Sequence, residues 1–197
     1  MLAQLQLIPP DIVRWLGFVV LFLLVAPLFP FVYVVLRWRS DGEHEPGAGT
    51  YAALLYFATA GLLLGLAGAA NLTYGWMSTT EIIEERIRLS WGMFVGSALF
   101  LALNLALLRR HGPRPQLRDA RRVFGGFLMV MAGLVTFTVV VLFFIAIFRE
   151  TSSGREAAER ADDLKAYGAW AGYYLVTYLA AVAVLGRGAK AQAESGP

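Results

Sequence analysis

Five apolar stretches dominate this chain, and each is long enough to cross the hydrocarbon core of a bilayer as a helix. They run from Ile12 to Trp38, Tyr51 to Trp76, Leu89 to Leu108, Val123 to Phe148 and Tyr167 to Leu185, and none contains an acidic residue. A helix needs ~20 predominantly apolar residues to span that core. Because lipid offers no partners to the backbone, the helix is the form that satisfies its polar groups within each segment. At 58% hydrophobic and 16% charged over 197 residues, the composition is too apolar for an ordinary soluble domain. The expected class is an all-α integral membrane protein with five transmembrane helices.

The first run carries Arg14 near its start, where a long side chain can reach the interface, and Pro27 and Pro30, which should kink it. No basic region precedes the run, it is too long for a signal peptide, and no A-x-A site follows it. It is expected to be retained.

The other four runs fall into two related pairs. Ser78 and Glu81 form an S-x-x-E box before a charged stretch and the apolar entry Trp91-Gly92-x-Phe94-x-Gly96. Ser153 and Glu156 repeat the box, and Tyr167-Gly168-x-Trp170-x-Gly172 repeats the entry. Ala60-Gly61-Leu62 and Ala132-Gly133-Leu134 match in the preceding runs. A duplicated two-helix hairpin accounts for this, and such a repeat implies a pseudo-twofold axis along the membrane normal. The expected organisation is an N-terminal helix and cytoplasmic linker over 1–48, hairpins over 49–116 and 117–188 forming a four-helix bundle, and a disordered tail over 189–197. Each box should start a helix outside the membrane, with Glu84–Arg88, Arg155–Glu159 and Glu156–Arg160 as four-residue ion pairs.

Basic residues set the orientation. Arg109, Arg110, Arg114, Arg118, Arg121 and Arg122 lie in one loop; with Arg37, Arg39, Arg187 and Lys190 they place ten basic residues on one side, against seven on the other, which are mixed with carboxylates. Cytoplasmic loops carry the excess of Lys and Arg. The N-terminus is therefore expected outside and the C-terminus inside, in a cell inner membrane. The six-arginine loop either attracts anionic phospholipid heads or serves topology alone. It lacks the interleaved aromatics of a nucleic-acid surface.

Candidate sites are few. Small residues one turn apart let helices approach closely, so Gly61/Gly65, Gly92/Gly96 and Gly168/Gly172 are expected to pack helices within the monomer, with a homodimer seam as the alternative. Tyr167, Trp170, Tyr174, Thr177 and Tyr178 share one helical side. The hydroxyls of Tyr174 and Tyr178 need partners, for which Thr136, Thr138 and Asn104 are available. Trp170, Tyr174, Tyr178 and Asn104 then form either an internal hydrogen-bond network or an amphipathic pocket for a quinone, sterol, tetrapyrrole or lipid head. Asn71, near the other end of its run from Tyr51, reads as interfacial. Glu81, Glu84 and Glu85 share a helix face, but a solvated helix start explains them without a metal.

Chemistry is scarce. With no cysteine there is no thiolate or disulfide chemistry, and His44 and His111 lie outside the apolar runs, which excludes a bis-histidine haem within the membrane. The runs hold no charged residue beyond those at their edges, against the habit of transporters. No cofactor is implied, and no enzyme is expected.

Runs that close on arginine, as in Leu105-Ala106-Leu107-Leu108-Arg109-Arg110 and Val184-Leu185-Gly186-Arg187, resemble bacterial multi-helix membrane proteins grouped as a domain of unknown function; the resemblance spans Tyr51 to Arg187 and implies no activity. The five-helix count and the Trp and Tyr content are also similar to the tryptophan-rich sensory proteins that bind tetrapyrroles and sterols, though the dense Trp and Pro clusters of that family are missing. The expected function is a non-enzymatic inner-membrane scaffold or accessory subunit that packs against a partner membrane protein or a second copy. Alternatives are a sensor for an apolar small molecule or lipid, and a small transporter or pore.

Overall fold

The computed structural model describes residues 21–40, 48–78, 83–110 and 115–194; side chains at 39, 40, 48, 83–86, 115–118 and 187–194 are outside the description. Among the described residues the chain is all helix and connection, with no strand. A short helical segment, 21–25, is followed by α1 (Leu28–Ser40), α2 (Ala48–Met77), α3 (Ile83–Arg110), α4 (Pro115–Phe148) and α5 (Gly154–Glu194). Counting 21–25 and α1 as one span, five helices are long and apolar enough to cross a membrane, which is the make-up of a multi-pass membrane protein.

The first span breaks at Ala26 and Pro27, where the expected kink lies. Neither Pro27 nor Pro30 has an amide hydrogen to give the turn before it. The backbone bonds instead become irregular: Phe29 N donates to the Ala26 carbonyl at 3.3 Å and Phe31 N to that of Pro27 at 3.3 Å. Tyr56 of α2 donates its hydroxyl to the Leu24 carbonyl at 2.7 Å. A neighbouring side chain thus serves a backbone carbonyl at the break.

Local sequence sets the other ends. α4 starts on Pro115, whose fixed φ suits a first helical position. α3 ends on Arg109 and Arg110, favourable at the negative end of its dipole. α3, α4 and α5 all begin before their apolar runs. α5 is the extreme case: its 41 residues make a rod of roughly 60 Å at 1.5 Å per residue. Its backbone stays helical to Glu194, inside the 189–197 stretch expected to be disordered.

α2 and α3 form one antiparallel hairpin and α4 and α5 the other, and α2 is the element that every other helix touches. α1 lies against α2 and α4, and α5 against α4 and α2. Among the described residues α3 touches α2 alone, so the helices gather around α2 and no contact there joins α3 to α4 or α5. Burial follows: 56% of the α2 span is buried, against 11% for α3 and for α5. One core cluster, with Val34, Tyr51, Ala52, Leu108, Ala120 and Phe124, sits where α2 and α4 begin and α1 and α3 end. A second, with Leu23, Ala26, Leu63, Ala67, Met131, Ala132 and Tyr174, lies farther along α2.

Candidate functional site

Four hydrogen bonds join α5 to α2 and to Ser78 just past its end. Tyr174, fully buried, donates to the Leu63 carbonyl at 3.1 Å. Trp170 Nε1 donates to Asn71 Oδ1 at 3.1 Å, and its ring stacks on Tyr174 with centroids 5.7 Å apart and 4° between planes. The hydroxyls of Thr73 and Tyr173 lie 3.0 Å apart. Ser78 donates to Asp162 at 3.4 Å. Every polar atom of Trp170 and Tyr174 therefore already has a protein partner.

Asn104 is elsewhere. It is buried on α3, which does not touch α5, and its amide donates to the Phe100 carbonyl of its own helix at 2.7 Å. Thr136 likewise turns to Ala132 O at 2.7 Å. In a helix interior a short polar side chain finds the carbonyl one turn back at no cost in approach, which is why these residues do not reach Tyr174. Tyr178 packs its ring on α4, 3.3 Å from where a Cβ on Gly133 would stand. The four residues considered together thus divide into a pair bonded to α2, a ring on α4 and an amide on α3. Asn71 and Thr73 are the partners the sequence reading passed over. The signal was depth: Asn71 lies six residues before the end of α2, and Trp170 lies three after the apolar run of α5 begins at the same end.

The glycine pairs also divide. Gly61 and Gly65 face Ser97 and Leu101 of α3 at 3.5–3.6 Å, ordinary contact for an added Cβ. Gly68, one turn on, is tighter: its Cβ would meet the Phe94 backbone N at 2.8 Å. Gly168 would touch Phe143 at 3.9 Å, whereas Gly92, Gly96 and Gly172 face open space.

At the arginine end, where α2 and α4 begin, Tyr51 is the fully buried floor. Arg121 donates its Nε to the Tyr51 hydroxyl and sets its guanidinium 5.6 Å from the ring centroid. Asp119 lies between Arg37 of α1 at 3.8 Å and Arg122 at 3.9 Å, all three about half exposed. Arg109 and Arg110 are exposed. Arg114 and the side chain of Arg118 lie outside the described residues.

The opposite end is held by polar bonds of α5. The Ser153 hydroxyl accepts from Glu156 N at 3.3 Å, one half of the expected box. The other half is displaced by one residue, because Glu156 accepts from both the amide and the hydroxyl of Ser152, at 2.7 and 2.8 Å. These bonds, the amide first, hold its carboxyl below the ordinary value. Arg155 pairs with Glu159 at 3.1 Å. Arg160 departs from the expected pair with Glu156 and donates to the Ile147 carbonyl, capping the last turn of α4. Arg149 meets Asp163 at 3.7 Å. Glu81 and the side chains of Glu84 and Glu85 fall outside the description, and among the described residues no group of His, Asp and Glu is placed to hold a metal.

No family model, curated protein or solved structure matches the chain.

Proposed function

We propose that this chain is a non-enzymatic scaffold or accessory subunit of a cell inner membrane, inserted with its N-terminus outside and its C-terminus in the cytoplasm, as a first helix and two related hairpins. Its surroundings are the bilayer, anionic phospholipids at the cytoplasmic face, and a partner membrane protein or second copy along α3. The observation that carries this reading is the position of α3. Among the described residues that helix touches α2 alone, and its far side presents Gly92 and Gly96 beside exposed Val95, Leu99 and Leu103. Small residues on an open face allow the backbone approach by which helices associate in lipid.

A second reading, a binding module for an apolar small molecule, rests on a different place from the one the sequence marked. Val141, Phe144, Ile145 and Phe148, with Arg149 just past them, form an exposed apolar strip along one side of α4. The Trp170–Tyr174 pair supports it less, since its polar atoms are bonded to α2.

Native mass spectrometry of the full chain, taken from its own membranes in mild detergent, separates the two. Additional polypeptide in fixed ratio, reduced by Gly92→Leu, is the expected result. A monomer carrying a small organic mass would replace the scaffold with the binding module.

A further inference from the structure

We infer that Arg121, seated on Tyr51, is a phosphate-reading residue that holds the phosphodiester head of an anionic lipid at one defined place on the arginine end. This deepens the proposed contact with anionic phospholipids and rests on that membrane orientation.

The inference begins with what the arginines at this end are doing. Arg37 and Arg122 share Asp119, so their charges are partly answered within the protein. Arg121 has no carboxylate among the described residues; its recorded partner is the neutral Tyr51, through hydroxyl and ring. Tyr51 is 0% exposed and clamped in a core cluster with Val34, Ala52, Leu108, Ala120 and Phe124, whereas Arg121 itself is exposed. The Nε edge of the guanidinium is therefore held by rigid protein, while the residue as a whole stays exposed.

The chemistry of that arrangement is specific. A guanidinium has five N–H donors in a planar fork. With Nε given to the tyrosine oxygen, the two terminal nitrogens remain as a parallel pair of donors, the edge that matches two phosphate oxygens. Arginine side chains carry about 2 kcal/mol of rotamer entropy, and a hydrogen-bonded seat on a buried tyrosine removes much of that loss before a ligand arrives. The surrounding charge also favours an anion: among the described side chains Arg37, Arg109, Arg110, Arg121 and Arg122 gather at this end against Asp119. A diffuse basic surface would treat all its cations alike. A seated fork distinguishes arginine from lysine.

That distinction supplies the test. The full-length protein in mild detergent is titrated with phosphatidylglycerol, and separately with phosphatidylcholine, and retained lipid is counted by native mass spectrometry. Arg121→Lys, which keeps the charge and loses the fork, should lower phosphatidylglycerol retention by roughly fivefold to tenfold. Arg110→Lys should leave it within about twofold, as a diffuse field demands. Tyr51→Phe, which keeps the ring and loses the hydroxyl, should fall between them. Equal retention by Arg121→Lys and wild type would overturn the inference, as would equal retention of phosphatidylcholine. Displacement of the lipid by millimolar inorganic phosphate would reassign the site to a free anion. Thermal unfolding of each variant checks folding; if Tyr51→Phe fails to fold, the two lysine variants still decide. Partner mass is read in the same spectra, so a missing partner with Arg121-dependent lipid removes only the scaffold reading. A bound partner without such lipid removes only this site.

Discussion

α2 meets its two long neighbours in opposite ways. Towards α3 it presents Gly61, Gly65 and Gly68 and lets backbone approach backbone. Towards α5 it presents Asn71, Thr73 and the Leu63 carbonyl, with Ser78 just past its end, and the helices are joined by polar side chains. The first seam depends on the absence of atoms and tolerates no added volume at Gly68, its tightest point. The second depends on particular atoms at particular depths, so it fixes register but can lose one bond and keep its packing.

The largest expected effect tests the first seam. Gly68→Ala places a Cβ 2.8 Å from the Phe94 backbone N, a position that backbone cannot yield cheaply. It should cost about 1–3 kcal/mol, the range for overpacking a tight interior, read as a lowered thermal midpoint in detergent. An unchanged midpoint would mean that the two backbones are not in contact.

The polar seam should respond less. Trp170→Phe leaves Asn71 Oδ1 without its donor, and a cost of about 1 kcal/mol is expected from the ~0.6 average and ~1.7 maximum for such bonds in membrane helices. Tyr174→Phe should fall below it, since the Leu63 carbonyl keeps its own helical bond. The reverse order, measured in the same unfolding assay, would show that the Trp170–Asn71 bond is incidental.

Gly92→Ala and Gly96→Ala sharpen the contrast within one helix. Both sites meet open space, so the monomer should change by no more than about 0.5 kcal/mol. A loss like that of Gly68→Ala would move the glycine seam to the other side of α3.

The smallest effect lies at the start of α5. The carboxyl of Glu156 titrates below the ordinary value because Ser152 donates to it. A lowered folded value stabilises the helix start above the unfolded value, and the contribution is lost as pH falls through the folded one. A carbon-13 titration of the Glu156 carboxyl should show the depressed midpoint, and Ser152→Ala should raise it. A midpoint at the ordinary value in the unmodified chain would remove the Ser152 bonds from the folded protein.

The spans were legible in the sequence because length and apolarity are properties of one segment at a time, and the same held for the Pro27 break and the Ser153 cap. Partners were less so. Asn104 and Asn71 look alike as lone amides in apolar runs, yet one bonds its own helix and the other reaches α5. The choice depends on which face meets which neighbour, and uniformly apolar helices leave no polar stripe from which to read it. Gly61 and Gly92 likewise begin identical spacings, and only the neighbour present beside α2 and absent beside the far side of α3 separates them.

The bond from Tyr56 to the Leu24 carbonyl joins residues 32 apart in sequence, and that separation is also an interval of time. At ~5–20 residues per second of synthesis, Tyr56 is made ~2–6 seconds after Leu24, so the break and the hydroxyl that serves it belong to different moments as well as to different helices. The first span depends on α2 for that donor, and a chain cut before Tyr56 would leave the Leu24 carbonyl without it.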